Sequence, residues 1–193
     1  AYAQGHETDT SRDPYKYGDD TGLKQQQVTI NKVENMTDST IQGMDISSYN
    51  ALKNAGVKFY DKDGKEASLL KILSDNGVNY IRIRIRIWND PYNEKGETYG
   101  GGGNDVETGL KIAREAKEYG MKILLDFHYS DFWADPAQQI IPKAWKADKD
   151  NPEKMCDHVY EFTKDTVNKF LKEGANVGMV QIGNEITNGM LGI

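Results

Sequence analysis

The residues best suited to chemistry stand near the end of the sequence, where an apolar run at positions 177–182 is followed by Gly183, Asn184 and Glu185. Enzymes built on parallel strands place function at the carboxyl ends of those strands. A carboxylate presented there can act as a general acid/base, and cleavage of a glycosidic bond uses two carboxyl groups. We expect the second group on a later strand, beyond Ile193. The pattern therefore predicts the front half of a sugar-cleaving barrel.

A second cluster of ionisable and aromatic side chains follows another apolar run, at positions 126–136. Asp126 and His128 project to the same side of an extended strand, so they could contact a substrate or ligate a metal ion together. Beyond the first 40 residues there is only one further histidine, His158 in a predicted helix, so the set of metal ligands is short. Trp133 and Trp145 are either loop-packing aromatics or flat platforms for a sugar ring.

A strict period of two marks positions 81–88, where isoleucines alternate with Arg82, Arg84, Arg86 and Trp88. This period indicates a strand. In an edge strand the arginines would be solvated, whereas in a barrel the isoleucines would face the helices and the arginines would face the lumen. A guanidinium in the lumen requires carboxylate partners. Three candidates stand at neighbouring strand ends: Asp45, Asp126 and Glu185.

Predicted strands and helices alternate along the chain from residue 41. Apolar runs predict strands at positions 41–46, 80–88, 121–127 and 177–182. Helical periods predict helices at about positions 69–76, 105–119 and 152–172. A glycine suited to a left-handed C-cap follows each helix: Gly77, Gly120 and Gly174. Asn104 is expected to cap the second of these helices.

Repeated strand–helix units of this kind predict an α/β fold with a parallel sheet and right-handed crossovers. Such a sheet is either open and doubly wound or closed as a (βα)8 TIM barrel. The first alternative requires a glycine-rich phosphate turn after the first strand, which residues 43–47 do not provide. The glycine run at positions 100–103 lacks the Lys-Ser/Thr ending of a P-loop. We therefore predict that residues 41–193 cover about the first four units of a barrel.

Composition sets outer limits on function. The chain has 193 residues, 37% of them hydrophobic, which is enough for one domain core, and its first 40 residues are polar enough to predict a flexible tail or linker. The net charge of −6 argues against a nucleic-acid partner. No apolar run approaches the ~20 residues that span a bilayer, so no membrane partner is expected. Cys156 is the only cysteine, and its helical spacing with Val159 and Tyr160 predicts a buried thiol.

Four motifs together resemble those of the endo-β-1,4-galactanases, glycoside hydrolase family fifty-three. They lie at residues 43–48, 84–91, 126–136 and 183–185. The motif at 126–136, which runs from Asp126 to Pro136, is highly specific. The Gly-Asn-Glu motif alone would indicate only the wider clan of retaining (βα)8-barrel enzymes. Three further segments fit the bacterial members, at residues 99–102, 142–145 and 177–181.

The resemblance implies a retaining endo-glycosidase, without cofactor or metal, that cleaves the β-1,4-galactan side chains of pectin outside the cell. It implies that Glu185 is the general acid/base. The nucleophilic glutamate of the family falls late in the barrel, which places it outside this chain. The missing C-terminal barrel half is therefore an expected partner, together with the polysaccharide. Asp45 and Asp126 are the only local stand-ins for the nucleophile, and pairing with arginine would make them poor ones.

The resemblance also implies a set of substrate-binding residues: Arg86, His128, Asp131, Trp133 and Asn184. Asn184 would donate to the substrate 2-hydroxyl, and Arg86 would orient the nucleophile. His128 would line the cleavage point, with Asp131 and Trp133 at substrate subsites. The second strand carries one extra Ile-Arg pair relative to the family pattern. Which of the three arginines at positions 82, 84 and 86 occupies the family position is therefore open.

Three alternatives stay open, two from other classes of function and one from within the same clan of enzymes. The chain could be a carbohydrate-binding half barrel without catalysis, which keeps the aromatic platforms. It could belong to another β-glycanase of the same clan, a mannanase or a cellulase. It could also be a metal-dependent hydrolase that uses Asp126 and His128.

Overall fold

The computed structural model describes residue 31, residues 33–87 and residues 103–193. The chain divides into two units, Ala1–Thr40 and Ile41–Ile193. The interpretation of the first unit as a flexible tail stays a prediction, because most of its residues lie outside the described ranges. The second unit contains the helices and strands given below. Among the described residues, no helix is both long enough and apolar enough to cross a membrane.

Helices separate successive strands throughout the described part of the second unit. The strands are β1 (Gly43–Asp45), β2 (Tyr80–Ile85), β3 (Lys122–Phe127) and β4 (Val177–Ile182). The helices are α1 (Tyr49–Asn54), α2 (Leu69–Asp75), α3 (Val106–Glu118) and α4 (Pro152–Lys172). Short 3-10 turns, Lys143–Asp148 and Ile186–Asn188, lie in the loops after β3 and β4. The predicted alternation is confirmed.

The strands form a parallel sheet in the order β1-β2-β3-β4. On one face of this sheet, Asp45 lies opposite Arg82 and Arg84 lies opposite Asp126. The order of the strands follows the chain, without the reversal that defines a doubly wound sheet. Sequential parallel order with intervening helices is the arrangement of a (βα)8 barrel. The chain supplies four consecutive strands of that fold, as predicted.

The two faces of the sheet differ in chemistry, as the alternation in β2 predicts. Ile81, Ile83 and Ile85 are each at most 1% exposed and lie on the face against which α3 packs. Gly109 permits this close packing, since a Cβ atom built there would lie 2.7 Å from Ile85 Cδ1 and 3.3 Å from Ile83 Cγ2. The arginines of β2 occupy the opposite face, between β1 and β3. The edge-strand alternative for β2 is therefore wrong.

The helix ends follow local sequence signals. In three helices the residue after the C-cap is a glycine with left-handed φ: Gly77 (85°), Gly120 (67°) and Gly174 (73°). The predicted N-cap of α3 is wrong by one residue, because Asp105 caps the helix by accepting a hydrogen bond from Thr108 N at 2.8 Å. Asn104 instead uses its backbone carbonyl, which accepts from Arg86 N at 2.6 Å.

Four details of the elements differ from the sequence-based expectations. The six-residue helix α1 is too short to give a periodic signal, and it was not predicted. The strand β1 has three residues rather than six. The strand β2 ends at Ile85, and Trp88 lies outside the described residues. Cys156 is exposed rather than buried, because the buried face of α4 runs through Met155 and Phe170 and leaves position 156 outside it.

The strands β1 and β4 form the open edges of the described sheet. On the face that helices cover at β2 and β3, Met44 of β1 is 46% exposed. On the same face of β4, Val180 and Ile182 are 39% and 48% exposed, whereas their partners in β3 are fully buried. Apolar side chains along open strand edges are surfaces that favour association.

The close contact between α3 and β2 gives a prediction about stability. Gly109→Val should lower the free energy of unfolding by about 1–3 kcal/mol, because the added methyl groups enter a filled space against Ile85 and Ile83. The matched control is Lys111→Val on the exposed side of the same helix, which should change it by about 0.5 kcal/mol or less. Urea denaturation measures both, and equal losses would contradict the packing argument.

Candidate active site

Arg82 joins the polar side chains of β1 and β3 to the turn that follows β4. Its Nη1 donates to Asp45, and its Nη2 donates to Asp126 Oδ2 at 2.5 Å and to Asn184 Oδ1 at 3.0 Å. Asp126 is 0% exposed, so its charge depends on this guanidinium rather than on water. Arg84 donates from Nε to Asp45 at 2.9 Å. The predicted pairing of lumen arginines with Asp45 and Asp126 is therefore confirmed.

A closed ring of hydrogen bonds continues from this ion pair. Ala134 N donates to His128 Nδ1 at 2.8 Å, so Nδ1 carries no proton and Nε2 donates to Asp126 Oδ2 at 3.1 Å. The carbonyl of Ala134 accepts from Asn184 Nδ2 at 2.7 Å. Asn184 Oδ1 accepts from Arg82, and Arg82 returns to Asp126. We call Arg82, Asp126, His128, Ala134 and Asn184 the lumen ring.

The lumen ring fixes the orientation of its polar groups. The Asn184 oxygen faces a cation and its nitrogen faces a carbonyl, so a flipped amide would set donor against donor and acceptor against acceptor. His128 and Asn184 are 3% and 9% exposed. Because a buried polar group without a partner costs about 1–3 kcal/mol, the ring strongly favours one conformation of the turn after β4.

The lumen ring also bears on the metal-ligand alternative. Both ring nitrogens of His128 are engaged, one by Ala134 N and the other by Asp126, so neither presents a free lone pair to a cation. Among the residues that the structure describes, no group of three or more His, Cys, Asp or Glu side chains is arranged to hold a metal ion. The geometry therefore gives no support to Asp126 and His128 as a pair of metal ligands.

The carboxylates near Arg82 each accept hydrogen bonds from more than one donor. Burial raises the pKa of Asp45, but hydrogen bonds from Ser47 N and Ser47 Oγ, together with Arg82 and Arg84, outweigh burial and hold the pKa below its ordinary value. At Asp126, both donors converge on Oδ2, while Oδ1 has no hydrogen-bond partner among the described residues. These two groups are suited to holding the site together rather than to nucleophilic attack.

The ring of Trp133 lies among polar side chains of the site, including the predicted substrate-binding residues Arg86 and His128. The guanidinium carbons of Arg84 and Arg86 each lie 4.9 Å from the centroid of its ring, and the His128 ring meets it edge-on at 5.4 Å. Arg86 is 1% exposed and its Nη1 lies 3.5 Å from Asp131 O. Trp133 is half-buried, so part of its surface stays accessible to a ligand.

Trp145, the second candidate platform, is a packing residue. It is 7% exposed, and its ring stacks on His158 at 5.2 Å with an interplanar angle of 7°. His158 Nε2 lies 3.0 Å from Asp148 Oδ2, which ties the loop to α4. The same loop returns to the site, because Lys143 N donates to Asp131 Oδ2 at 2.7 Å. The loop-packing interpretation of Trp145 is thus favoured over the platform.

Glu185 follows the carboxyl end of β4, next to Asn184 of the lumen ring. It is exposed, and its backbone has φ 51° and ψ 44°, the left-handed region that non-glycine residues rarely adopt. Within the described part of the chain its carboxylate makes no hydrogen bond or ion pair. The expectation that Glu185 pairs with an arginine of β2 is therefore wrong, because Arg82 is taken up by Asp45, Asp126 and Asn184.

Two glutamines that were not among the predicted site residues also contact Asn184. Gln139 Nε2 donates to the backbone carbonyl of Asn184 at 2.9 Å. Gln181 Nε2 lies 3.4 Å from Asn184 Oδ1 and donates to Gly183 O at 3.1 Å. Alternation within β4 could have placed Gln181 on the lumen face. Nothing in the sequence indicates Gln139, whose contact depends on the path of the loop after β3.

The fold and the polar mouth at the carboxyl ends of its strands define the chain as part of a (βα)8 barrel of the glycoside hydrolase class. The model of Glycosyl hydrolase family 53 matches residues 41–193, and the chain belongs to that family. The resemblance stated from the four motifs is thereby confirmed.

Individual relatives agree with this assignment. The chain is 48% identical to the Endo-beta-1,4-galactanase of Bacillus subtilis over 170 residues, which are 88% of this chain and 39% of that protein. It is 38% identical to the Arabinogalactan endo-beta-1,4-galactanase of Humicola insolens, over 78% of this chain and 41% of that protein. The solved structure of the Ignisphaera aggregans GH53 catalytic domain superposes with a TM-score of 0.74 at 44% identity, covering 86% of this chain and 45% of that one. The chain therefore spans less than half the length of these relatives.

The ion pair in the lumen ring gives a second prediction. Arg82→Met should lower the free energy of unfolding by about 3–5 kcal/mol, because it leaves the Asp126 charge buried without a cation. Arg84→Met should cost about 1 kcal/mol or less, since its partner Asp45 is more exposed and keeps Arg82. Denaturant titration compares the two variants. Losses of equal size would show that Asp126 does not depend on Arg82.

Proposed function

We propose that this chain forms the acid/base half of a retaining endo-glycosidase that hydrolyses β-1,4-galactan. The observation that carries the proposal is the position of Glu185, exposed at the carboxyl end of β4 beside the anchored amide of Asn184, in a chain of family 53. The relatives from Bacillus subtilis and Humicola insolens are named as galactanases. We propose the same activity for this chain rather than state it, because the chain covers only 39% and 41% of the lengths of these two relatives.

Glu185 is proposed to act twice in the reaction. It first donates a proton to the glycosidic oxygen as the bond to the leaving sugar breaks. It then removes a proton from the water that attacks the glycosyl–enzyme intermediate. Asn184 Nδ2 donates one of its two N–H groups to Ala134 O. The second N–H group is proposed to donate to the substrate 2-hydroxyl.

The nucleophile is proposed to come from a later strand, outside the 193 residues of this chain. A retaining mechanism needs a second carboxylate roughly 5–5.5 Å from the first. Asp45 and Asp126 are poor candidates, because each is an anion already stabilised by arginine. Arg86 is proposed to orient the nucleophile, in keeping with its position next to the end of β2.

The remaining residues are proposed to shape the subsites around the cleavage point. Trp133 offers a half-buried aromatic surface to a sugar ring, and the backbone of Asp131 lies beside Arg86. His128 is proposed to line the cleavage point through its carbon edge, because both of its nitrogens are committed within the lumen ring. The galactan side chains of pectin, encountered outside the cell, are the proposed substrate and setting.

Complementation tests the proposal directly. The chain should not release reducing sugar from galactan alone, and it should do so when the C-terminal half of the Bacillus subtilis relative is added. Glu185→Gln in the mixture should lower kcat about 10²–10⁴-fold, the usual contribution of a general acid/base. The matched control is Glu161→Gln on the exposed surface of α4, which should leave kcat unchanged.

The same assay separates the alternatives. Full activity of the chain alone would show that one of its own residues is the nucleophile. Galactan binding without cleavage in the complemented mixture would indicate a carbohydrate-binding half barrel. Faster cleavage of mannan or cellulose than of galactan would assign another glycanase of the clan.

The half-buried position of Trp133 gives a further prediction. In the complemented barrel, Trp133→Ala should reduce turnover of polymeric galactan more than turnover of an activated aryl galactoside, since stacking at a remote subsite contributes only to the longer substrate. Initial rates on the two substrates measure the difference. Equal losses would mean that Trp133 shapes the reaction centre, through its contacts with Arg84 and Arg86, or merely holds the loop.

A further inference from the structure

The peptide that joins Asn184 to Glu185 has an unusual conformation. Glu185 has φ 51°, and a non-glycine residue held in the left-handed region costs about 1 kcal/mol or more relative to an extended or helical one. Such a conformation persists only where surrounding contacts determine it. The lumen ring holds the side chain of Asn184, but a side chain does not by itself fix the peptide plane that follows it.

Gln139 holds that peptide plane. Its Nε2 donates to Asn184 O at 2.9 Å and to Asp135 O at 3.1 Å, so both protons of the amide are used on backbone carbonyls. The carbonyl oxygen of Asn184 and the nitrogen of Glu185 belong to the same planar group. Rotation of this group changes ψ of Asn184 and φ of Glu185 together. A donor bound to Asn184 O therefore opposes any change of φ at Glu185.

The donor is itself firmly placed. Asp135 and Gln138 bond to each other through their backbones, with N–O distances of 3.2 and 3.0 Å. Ala137 N donates to Asp135 Oδ1 at 2.7 Å, which tightens the same turn. Gln139 follows this turn and is half-buried. The loop after β3 thus presents the amide from a rigid base.

We propose that Gln139 is a positioning residue for Glu185, which it holds in the left-handed conformation that presents the carboxylate to the substrate. The proposal deepens the function proposed above and rests on it for the role of Glu185. The lumen ring and Gln139 then have separate tasks. The ring orients the Asn184 amide towards the substrate, and Gln139 orients the peptide that carries the acid/base.

Kinetics in the complemented barrel test the catalytic side of the proposal. Gln139→Met keeps the length of the side chain but removes the donor, and it should lower kcat about 10-fold or more while KM changes little, since misplacement of a reacting group by about 1 Å can cost 10²-fold. The matched control is Gln138→Met, at an exposed neighbouring position whose amide donates to Asp135 Oδ2 at 3.3 Å rather than to Asn184 O, and it should leave both constants near their original values. Equal kcat in the two variants would overturn the proposal.

A second variant gives a readout that a purely structural role would not produce. In Gln139→Glu, the ionised carboxylate would repel Asn184 O, whereas the protonated carboxyl can donate to it. The kcat of this variant should therefore recover, relative to that of the unsubstituted barrel, as the pH falls through the pKa of the introduced carboxyl. Gln138→Glu should show no such recovery. A constant deficit at all pH values would count against the proposal.

NMR of the chain itself keeps this test separate from the test of the proposed function. The three-bond coupling between the amide and α protons of Glu185 reports φ directly, without any activity. A change in this coupling in Gln139→Met, but not in Gln138→Met, would confirm the positioning role even if the complemented barrel proved inactive on galactan. An unchanged coupling in Gln139→Met would overturn the role, whatever the kinetics.

Discussion

Asp126 places a negative charge at a fully buried position on the lumen face of the sheet, and the polar architecture of the site follows from what that charge requires. A buried carboxylate is tolerated only with a cation and further donors. Arg82 supplies the cation and His128 supplies a donor, and each is then fixed by its own second partner. Those partners, Asn184 and the backbone of Ala134, also form a hydrogen bond with each other. The hydrogen bonds that the buried charge of Asp126 requires therefore form a closed ring. The ring connects β2, β3, the loop after β3 and the turn after β4.

The alternation of isoleucine and arginine in β2 serves both the packing of α3 and the charge balance of the opposite face. Its isoleucines fill the space beneath α3, where Gly109 allows the helix to approach closely. Its arginines bring positive charge to a face where the neighbouring strands carry Asp45 and Asp126 at or near their carboxyl ends. A shift of one residue would reverse both faces at once. Packing and electrostatics therefore enforce the same register, and the site is positioned by the same contacts that hold the sheet together.

Sequence reasoning was reliable where a repeated pattern carries the information and failed where a single contact does. The bounds of α4 and β4 and the glycines at three helix ends follow from periodicity and C-cap chemistry. The pairing of Arg82 with Asp45 and Asp126 follows from counting charges on one face. The choice of Asp105 over Asn104 as a cap turns on which side chain reaches Thr108 N. The contact of Gln139 with Asn184 depends on where a loop returns, which no spacing encodes.

The division of labour in the proposed mechanism follows from how the chain uses its carboxylates. Those that hold the structure together, Asp45 and Asp126, are paired with arginine. Such pairing stabilises an anion in place and makes it a poor nucleophile. Glu185 is the reverse case, because it is exposed, without a partner in the described chain, and held by its backbone rather than by its side chain. A carboxylate positioned in this way keeps both oxygens available to a substrate. In the proposed reaction, proton transfer requires that freedom of the side chain, and the hydrogen bond from Gln139 to the peptide beneath it would keep the position of the group fixed through both steps.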